Sequence, residues 1–246
     1  MSVNACAEIV RNGDPDRFLA AMAAPPAARR ALFPIYALNV EAARAPWVTA
    51  EPMIAEIRLQ WWRDALDEIA EGKTPRRHEV VTPLAEIVDA EGAHILDRAV
   101  AARRWEIARE PFVGTGQLLG HMDDLAGSLM WAAARCLGAS DEAQVRGVGV
   151  AGGLAGWLTA VPELEARGLA PLPDPSDDGI RALAEEGLSR LGSVSRAARP
   201  AALAAWEARP VLAAARSDPA RVREGRLLRA PAIRRLRLMR MASLGR

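Results

Sequence analysis

The stretch Ile57-Arg58-Leu59-Gln60-Trp61-Trp62-Arg63-Asp64-Ala65-Leu66 decides the fold class. It sits inside residues 53–71, where Ile54, Ile57, Trp61, Ala65 and Ile69 recur every three to four positions. That spacing puts them along one side of a helix, so it predicts an amphipathic helix with this stripe turned to a core. Pro46 and Pro52 bracket a break before the run, and Gly72 ends it.

The same pattern extends in both directions. Asp14-Pro15-Asp16 reads as a helix start, with proline in the first turn and acids at the positive end of the helix. Pro25-Pro26 interrupts, and a helix is predicted over 26–44, with Leu32, Ile35, Tyr36 and Val40 at helical spacing. After a polar loop at 73–82, helices are predicted over 83–91 and 93–109, split by Gly92 and stopped by Pro111. A long apolar run follows at 115–137. Residues 141–160 are small and glycine-rich, which suits a helix packed tightly on its neighbours. Residues 168–175 form a loop, and further helices are predicted over 176–192, 197–217 and 219–240. There is no internal repeat and no alternation of strand and helix. The expectation is an all-α, single-domain bundle of about eight to ten helices.

Composition agrees. Among 246 residues there are 51 Ala and one Lys, so almost every base is Arg, and aromatic residues make up 4%. Ala and Arg favour helix, and strand formers are scarce. Two cysteines, Cys6 and Cys136, make no disulfide framework, and three dispersed histidines offer no zinc-ligand spacing. The net charge of +1 conceals nine Arg and one Glu within 221–246. In that tail Arg229, Arg234, Arg235, Arg237 and Arg240 alternate with Leu and Met. Such a segment could lie on an anionic membrane, meet a protein partner, or cover the acidic body of its own chain. Nucleic acid is not expected, since no aromatic residue is interleaved for base stacking. The N-terminus lacks a charged-then-apolar leader, and no stretch has 18 uninterrupted apolar residues, so the expected compartment is the cytoplasm.

Several groups could carry chemistry. Asp64, Asp67 and Glu68 share a helix face and could hold Mg²⁺, although a solvated face is the more ordinary reading. His121 and Asp124 are spaced as an acid–base pair, and Asp123-Asp124 is read as the acidic opening of an apolar helix. Gly147-Val148-Gly149-Val150-Ala151-Gly152 matches a dinucleotide fingerprint only by letters, because no strand precedes it. Ser189, Ser193 and Ser195 lack a nucleophile-elbow context.

Four segments together resemble the squalene/phytoene synthase family. They are Pro25-Pro26-Ala27-Ala28-Arg29-Arg30-Ala31-Leu32 continuing through Ile35-Tyr36-Ala37-Leu38, the run Ile57–Leu66, Ala126-Gly127-Ser128-Leu129-Met130, and Arg167-Gly168-Leu169-Ala170-Pro171-Leu172-Pro173. The resemblance spans most of residues 14–240 and implies the all-α isoprenoid synthase fold with a central cavity. Residues 1–13 are then a short N-terminal extension and 221–246 a basic C-terminal helix or tail. Members of the family carry two Asp-x-x-x-Asp motifs facing each other across that cavity. Acids at i and i+4 share a helix face, and facing pairs hold Mg²⁺ against a diphosphate leaving group.

By this resemblance both motifs are missing. The register places Ala43 and Trp47 where the first pair would stand, and Ala160 and Leu164 where the second would stand, with Pro162 breaking into it. Methyl groups do not ligate Mg²⁺, and diphosphate departure loses its main electrostatic help without the metal. The chain resembles the branch that includes the mitochondrial respiratory complex I assembly factor with a synthase-like domain, on the phrases Tyr36-Ala37-Leu38-Asn39-Val40-Glu41 and Arg58-Leu59-Gln60-Trp61-Trp62. The resemblance implies a non-catalytic protein that binds an isoprenoid or other lipid, or a protein partner in complex I assembly. No cofactor is expected, and the location is cytoplasmic and could be peripheral to the inner membrane. The alternative is a Mg²⁺-dependent prenyl transferase that recruits Asp64, Glu68, Asp123 or Asp124 into the cavity.

Overall fold

Asp14 makes the first sharp corner of the chain. Its side chain accepts a hydrogen bond from the backbone N–H of Arg17 at 2.9 Å, and Pro15 takes the first helical position, so one helix stops at Gly13 and the next begins. The computed structural model that shows this describes residues 2–244. Among the described residues there is no strand.

The long helices are α1 (Val3–Gly13), α2 (Pro15–Ala23), α3 (Arg29–Arg44), α4 (Pro52–Ala70), α5 (Ala90–Ala102), α6 (Thr115–Met122), α7 (Ser128–Cys136), α8 (Glu142–Ala166), α9 (Asp177–Ser189), α10 (Ala208–Ser217) and α11 (Pro231–Leu244). Shorter turns of helix at Val81–Ala85, Trp105–Ala108, Arg199–Ala202 and Ala220–Arg223 join them. Residues 3–13, read as an extension, belong to the body: Cys6 and Val10 of α1 are fully buried.

At the centre lies α3, buried without interruption from Ala31 to Val40. A helix apolar on every side needs neighbours on every side. Here α1, α2, α7 and α5 supply them. The second axis of the bundle is α8, against which α7, α9 and α10 pack. Its glycines let it approach closely. A methyl group on Gly149 would stand 2.8 Å from the Ala126 carbonyl oxygen and 2.9 Å from Gly127 Cα.

That contact falls on an irregular turn. Residues Asp123–Gly127 form a π-helical turn between α6 and α7, so the apolar run at 115–137 is one long helix with a bulge in its middle. His121 and Asp123 therefore sit mid-helix, not at a helix start. Other boundaries also move. Gly92 splits nothing, because Asp89 caps α5 through the Gly92 N–H at 2.9 Å. The helix predicted over 93–109 ends at Ala102, and Arg109 turns the chain with φ 58° ahead of Pro111. Pro162 lies inside α8, which continues to Ala166. The run 219–240 breaks at Gly225 (φ 64°) before α11.

The stripe predicted to face the core of α4 is also displaced. Ala55, Leu59, Trp62, Ala65 and Leu66 are buried, while Ile54 and Ile57 are exposed. Trp61 is covered by the returning loop, where the Arg76 guanidinium lies 4.7 Å over its ring while bonding Glu68. The α4 helix is apolar over much of its circumference, and contact with α5 selects which side is buried.

Candidate functional site

The C-terminal half of α3 and the C-terminal half of α8 face each other across a cavity of about 290 Å³. Ala43 and Trp47 line one side, and Ala160 and Leu164 the other. The four positions singled out from sequence thus share one space. The cavity persists where its apolar replacements could have filled it, because Ala43, Ala160 and the glycines at 152, 153 and 156 are small.

Guanidinium groups surround this cavity. Arg17 from α2, Arg103 just after α5 and Arg167 at the end of α8 line it and also an adjoining outer pocket of about 440 Å³, to which Arg44 contributes. Arg17 bonds Asp14 at 2.6 Å and lies 5.9 Å over the buried Tyr36 ring. Arg167 bonds Glu163 and lies 4.3 Å over the Trp47 ring, so a cation–aromatic contact ties the end of α8 to one of the positions where an acid was sought. Arg103 donates to Glu106 at 3.0 Å and to the Asn39 side-chain oxygen at 3.1 Å, while its buried Nε has no partner. Glu106 is 4% exposed, and its Oε2 is likewise without a partner. Burial pushes the Glu106 carboxyl above the usual carboxylate range, against the pull of Arg103. None of these arginines was found from the sequence. Arg167 opens one of the family-like segments while Arg17 and Arg103 lie in none of them, and only the fold brings the three together.

Beside the inner end of the cavity His121, Trp105, Phe112 and Trp157 form an aromatic cluster, with Trp105 and Phe112 stacked at 4.8 Å. The Trp157 indole donates to the Pro171 carbonyl at 2.9 Å, which ties the loop after α8 to the cluster. Burial, with help from the Arg103 charge, pushes the His121 imidazole down to about 4. Its Nε2 is buried without a partner. Asp124, spaced from His121 as its acid–base partner, is exposed while that Nε2 is buried and unpartnered, and Asp123 turns elsewhere, gripped by Arg146 at 2.5 and 3.0 Å.

The acids proposed for a rearranged metal site are not gathered in the cavity. Asp64 is exposed and accepts from Gln60, Glu68 is held by Arg76, Asp123 by Arg146, and Asp124 is exposed. None of the four lines the cavity. Among the described residues no group of three or more His, Cys, Asp or Glu is placed to hold a metal ion. The carboxylates that do reach the cavity, Glu106 and Glu163, and Asp14 in the outer pocket, are each bonded to an arginine. The tail residues separate as well. Arg234 is bound into the body, to Asp16 at 2.5 Å and Glu207 at 3.1 Å, over the Trp206 ring. Arg229, Arg235 and Arg240 are exposed and Arg237 is half-buried.

This geometry meets its relatives in sequence comparison. The squalene/phytoene synthase family matches residues 10–178. The chain belongs to that family. Over its whole length its fold is that of the family's enzymes. A dehydrosqualene synthase crystallised with a ligand superposes with a TM-score of 0.73 at 15% identity, covering 99% of this chain and 95% of the other. Squalene synthase HpnC from Alicyclobacillus acidocaldarius gives 0.64 at 14% identity, covering 98% and 92%. Among curated proteins, the Drosophila melanogaster homolog of NADH dehydrogenase (ubiquinone) complex I assembly factor 6 is 34% identical over 107 residues, which is 43% of this chain and 32% of that protein. The matched stretch therefore spans about a third of that relative. The family implies Mg²⁺, and the residues at this cavity do not fit it: Mg²⁺ takes oxygen ligands at about 2.1 Å in an octahedron, whereas the facing positions offer Ala43, Trp47, Ala160 and Leu164.

Proposed function

We propose that this protein keeps the synthase fold as a non-catalytic scaffold, binding a protein partner or a lipid during assembly of respiratory complex I. One observation carries the reading: the four side chains that face each other across the cavity, at the positions of the family's aspartates, are apolar. A diphosphate cannot depart with metal assistance from such a wall. The similarity to an assembly factor homolog supports the direction of the role.

We place the protein in the cytoplasm, in peripheral contact with the inner membrane. Among the described residues no helix is long and apolar enough to cross a membrane. Contact with an anionic surface is supported by the outer side of α11, where Ile233, Leu236 and Met239 are exposed beside Arg235 and Arg240.

The test is deletion of the gene in the organism that carries it, followed by complex I activity and a profile of isoprenoid products. The proposal expects loss of complex I activity, accumulation of subassemblies and an unchanged isoprenoid profile. Normal complex I with a missing prenyl product would overturn it in favour of an enzyme.

A further inference from the structure

We infer that the cavity is a metal-independent site for a single-chain amphiphile with an anionic head, a phosphate monoester or a carboxylate. The inference rests on the reading that the cavity binds and does not react. The disagreement between this cavity and Mg²⁺ is its starting point. Where acids and metal ions would grip an anion, this chain supplies guanidiniums, which bind phosphate or carboxylate directly through paired N–H donors.

The polar and apolar parts are arranged end to end. Arg17, Arg103, Arg167, Asn39, Ala43 and Trp47 line both the outer pocket and the inner cavity, so the two are continuous through a guanidinium-lined neck whose arginines also bond Asp14, Glu106 and Glu163. Beyond the neck the walls include Met122, Leu125, Ala126, Trp157 and Leu164. The neck holds an unspent donor: Arg103 is 16% exposed, and its buried Nε has no partner among protein atoms. Glu106, 4% exposed and also with an unpartnered oxygen, presents a carboxyl that in its neutral form can donate to an anion. A buried donor without a partner is costly, and an anionic head that takes it up removes that cost. The inner volume of about 290 Å³ lies at the small end of small-molecule sites. It therefore suits a short chain.

The test is titration of the full chain with decyl phosphate, decanoate, decanol and inorganic phosphate, each in EDTA and then in Mg²⁺. Binding is read by calorimetry and by the fluorescence of Trp47 and Trp157, which line the cavity. Decyl phosphate or decanoate is expected to bind in EDTA, decanol and inorganic phosphate at least about tenfold more weakly. Comparison of the first two probes identifies the head. Arg103→Gln and Arg167→Gln should each weaken the preferred probe by about tenfold or more, while Arg235→Gln on the exposed tail leaves it unchanged. Arg167 sits at a helix end, so its variant guards against a folding defect in the Arg103 variant, and circular dichroism checks both. Binding that requires Mg²⁺, equal binding of decanol, insensitivity to both arginine variants, or no binding of any probe overturns the inference. Those outcomes leave the complex I phenotype untouched, and a missing prenyl product in the deletion strain would instead refute the reading beneath it.

Discussion

Two glycines of α8 give opposite answers to the same substitution. At Gly149 an added methyl would stand 2.8 Å from the Ala126 carbonyl oxygen, 2.9 Å from Gly127 Cα and 3.1 Å from Met130 Cβ. The first two atoms are backbone of the π-helical turn, so they cannot swing aside. At Gly156, seven residues along the same helix, no atom lies within 4 Å of the added methyl. Alanine in place of glycine inside a helix gains about 1 kcal/mol from backbone entropy. At Gly156 that gain stands alone. At Gly149 it is set against overpacking of about 1–3 kcal/mol or more, since α8 must lift off the turn. Gly149→Ala should therefore destabilise by up to about 2 kcal/mol, and Gly156→Ala should stabilise by about 0.5–1 kcal/mol. For a chain of this size each kcal/mol moves the melting midpoint by about 2–4 °C. Urea unfolding of the two variants beside the parent measures both signs, provided the m-values agree. Shifts in the same direction, or a more stable Gly149→Ala, would refute the close crossing of α8 over the bulge that shapes the cavity wall.

Arg234→Ala removes the bonds to Asp16 and Glu207 and the contact over Trp206, and should cost about 1–3 kcal/mol, with amide exchange accelerating across Pro231–Leu244. Arg235→Ala, on the exposed side, should change stability by no more than about 0.5 kcal/mol. His121 gives a pH signature. Its imidazole is held down to about 4 in the folded state, below its ordinary 6.5, so between these values the unfolded chain takes up a proton that the folded one refuses. Stability is thus lost as pH falls from about 6.5 to about 4, by at most about 3 kcal/mol. In His121→Gln that loss should vanish, so the parent's unfolding midpoint should fall relative to the variant's as pH drops from about 6.5 to about 4; a difference flat with pH would contradict the burial of a neutral His121.

The fold was legible because it depends on period and punctuation, which survive in one chain. Proline, glycine and Asp14 marked most helix ends, and the glycine run at 141–160 correctly announced close packing. The misreadings have physical causes. On α4 the sequence offers two apolar stripes, and only the neighbour α5 determines that Leu59 and Trp62 go inside while Ile57 stays out. The bulge at Asp123–Gly127 leaves no periodic trace, because one inserted residue merely rotates the stripe. At the cavity, Ala43, Trp47, Ala160 and Leu164 were singled out by resemblance to a family pattern, and the fold brings the four into one space. The arginines were not legible, since Arg17, Arg103 and Arg167 are distant in sequence and no spacing pattern joins them. Likewise Arg234 was indistinguishable from its neighbours in the tail until Asp16 and Glu207 were brought to it.

The most direct measurement is pyrophosphate release from farnesyl and geranylgeranyl diphosphates incubated with the purified protein and Mg²⁺, beside a family synthase that retains its aspartates. The apolar wall of Ala43, Trp47, Ala160 and Leu164 predicts no release above the protein-free control at any Mg²⁺ concentration. Mg²⁺-dependent release by this chain, abolished when Ala43 or Ala160 is replaced by a bulky residue, would contradict the account.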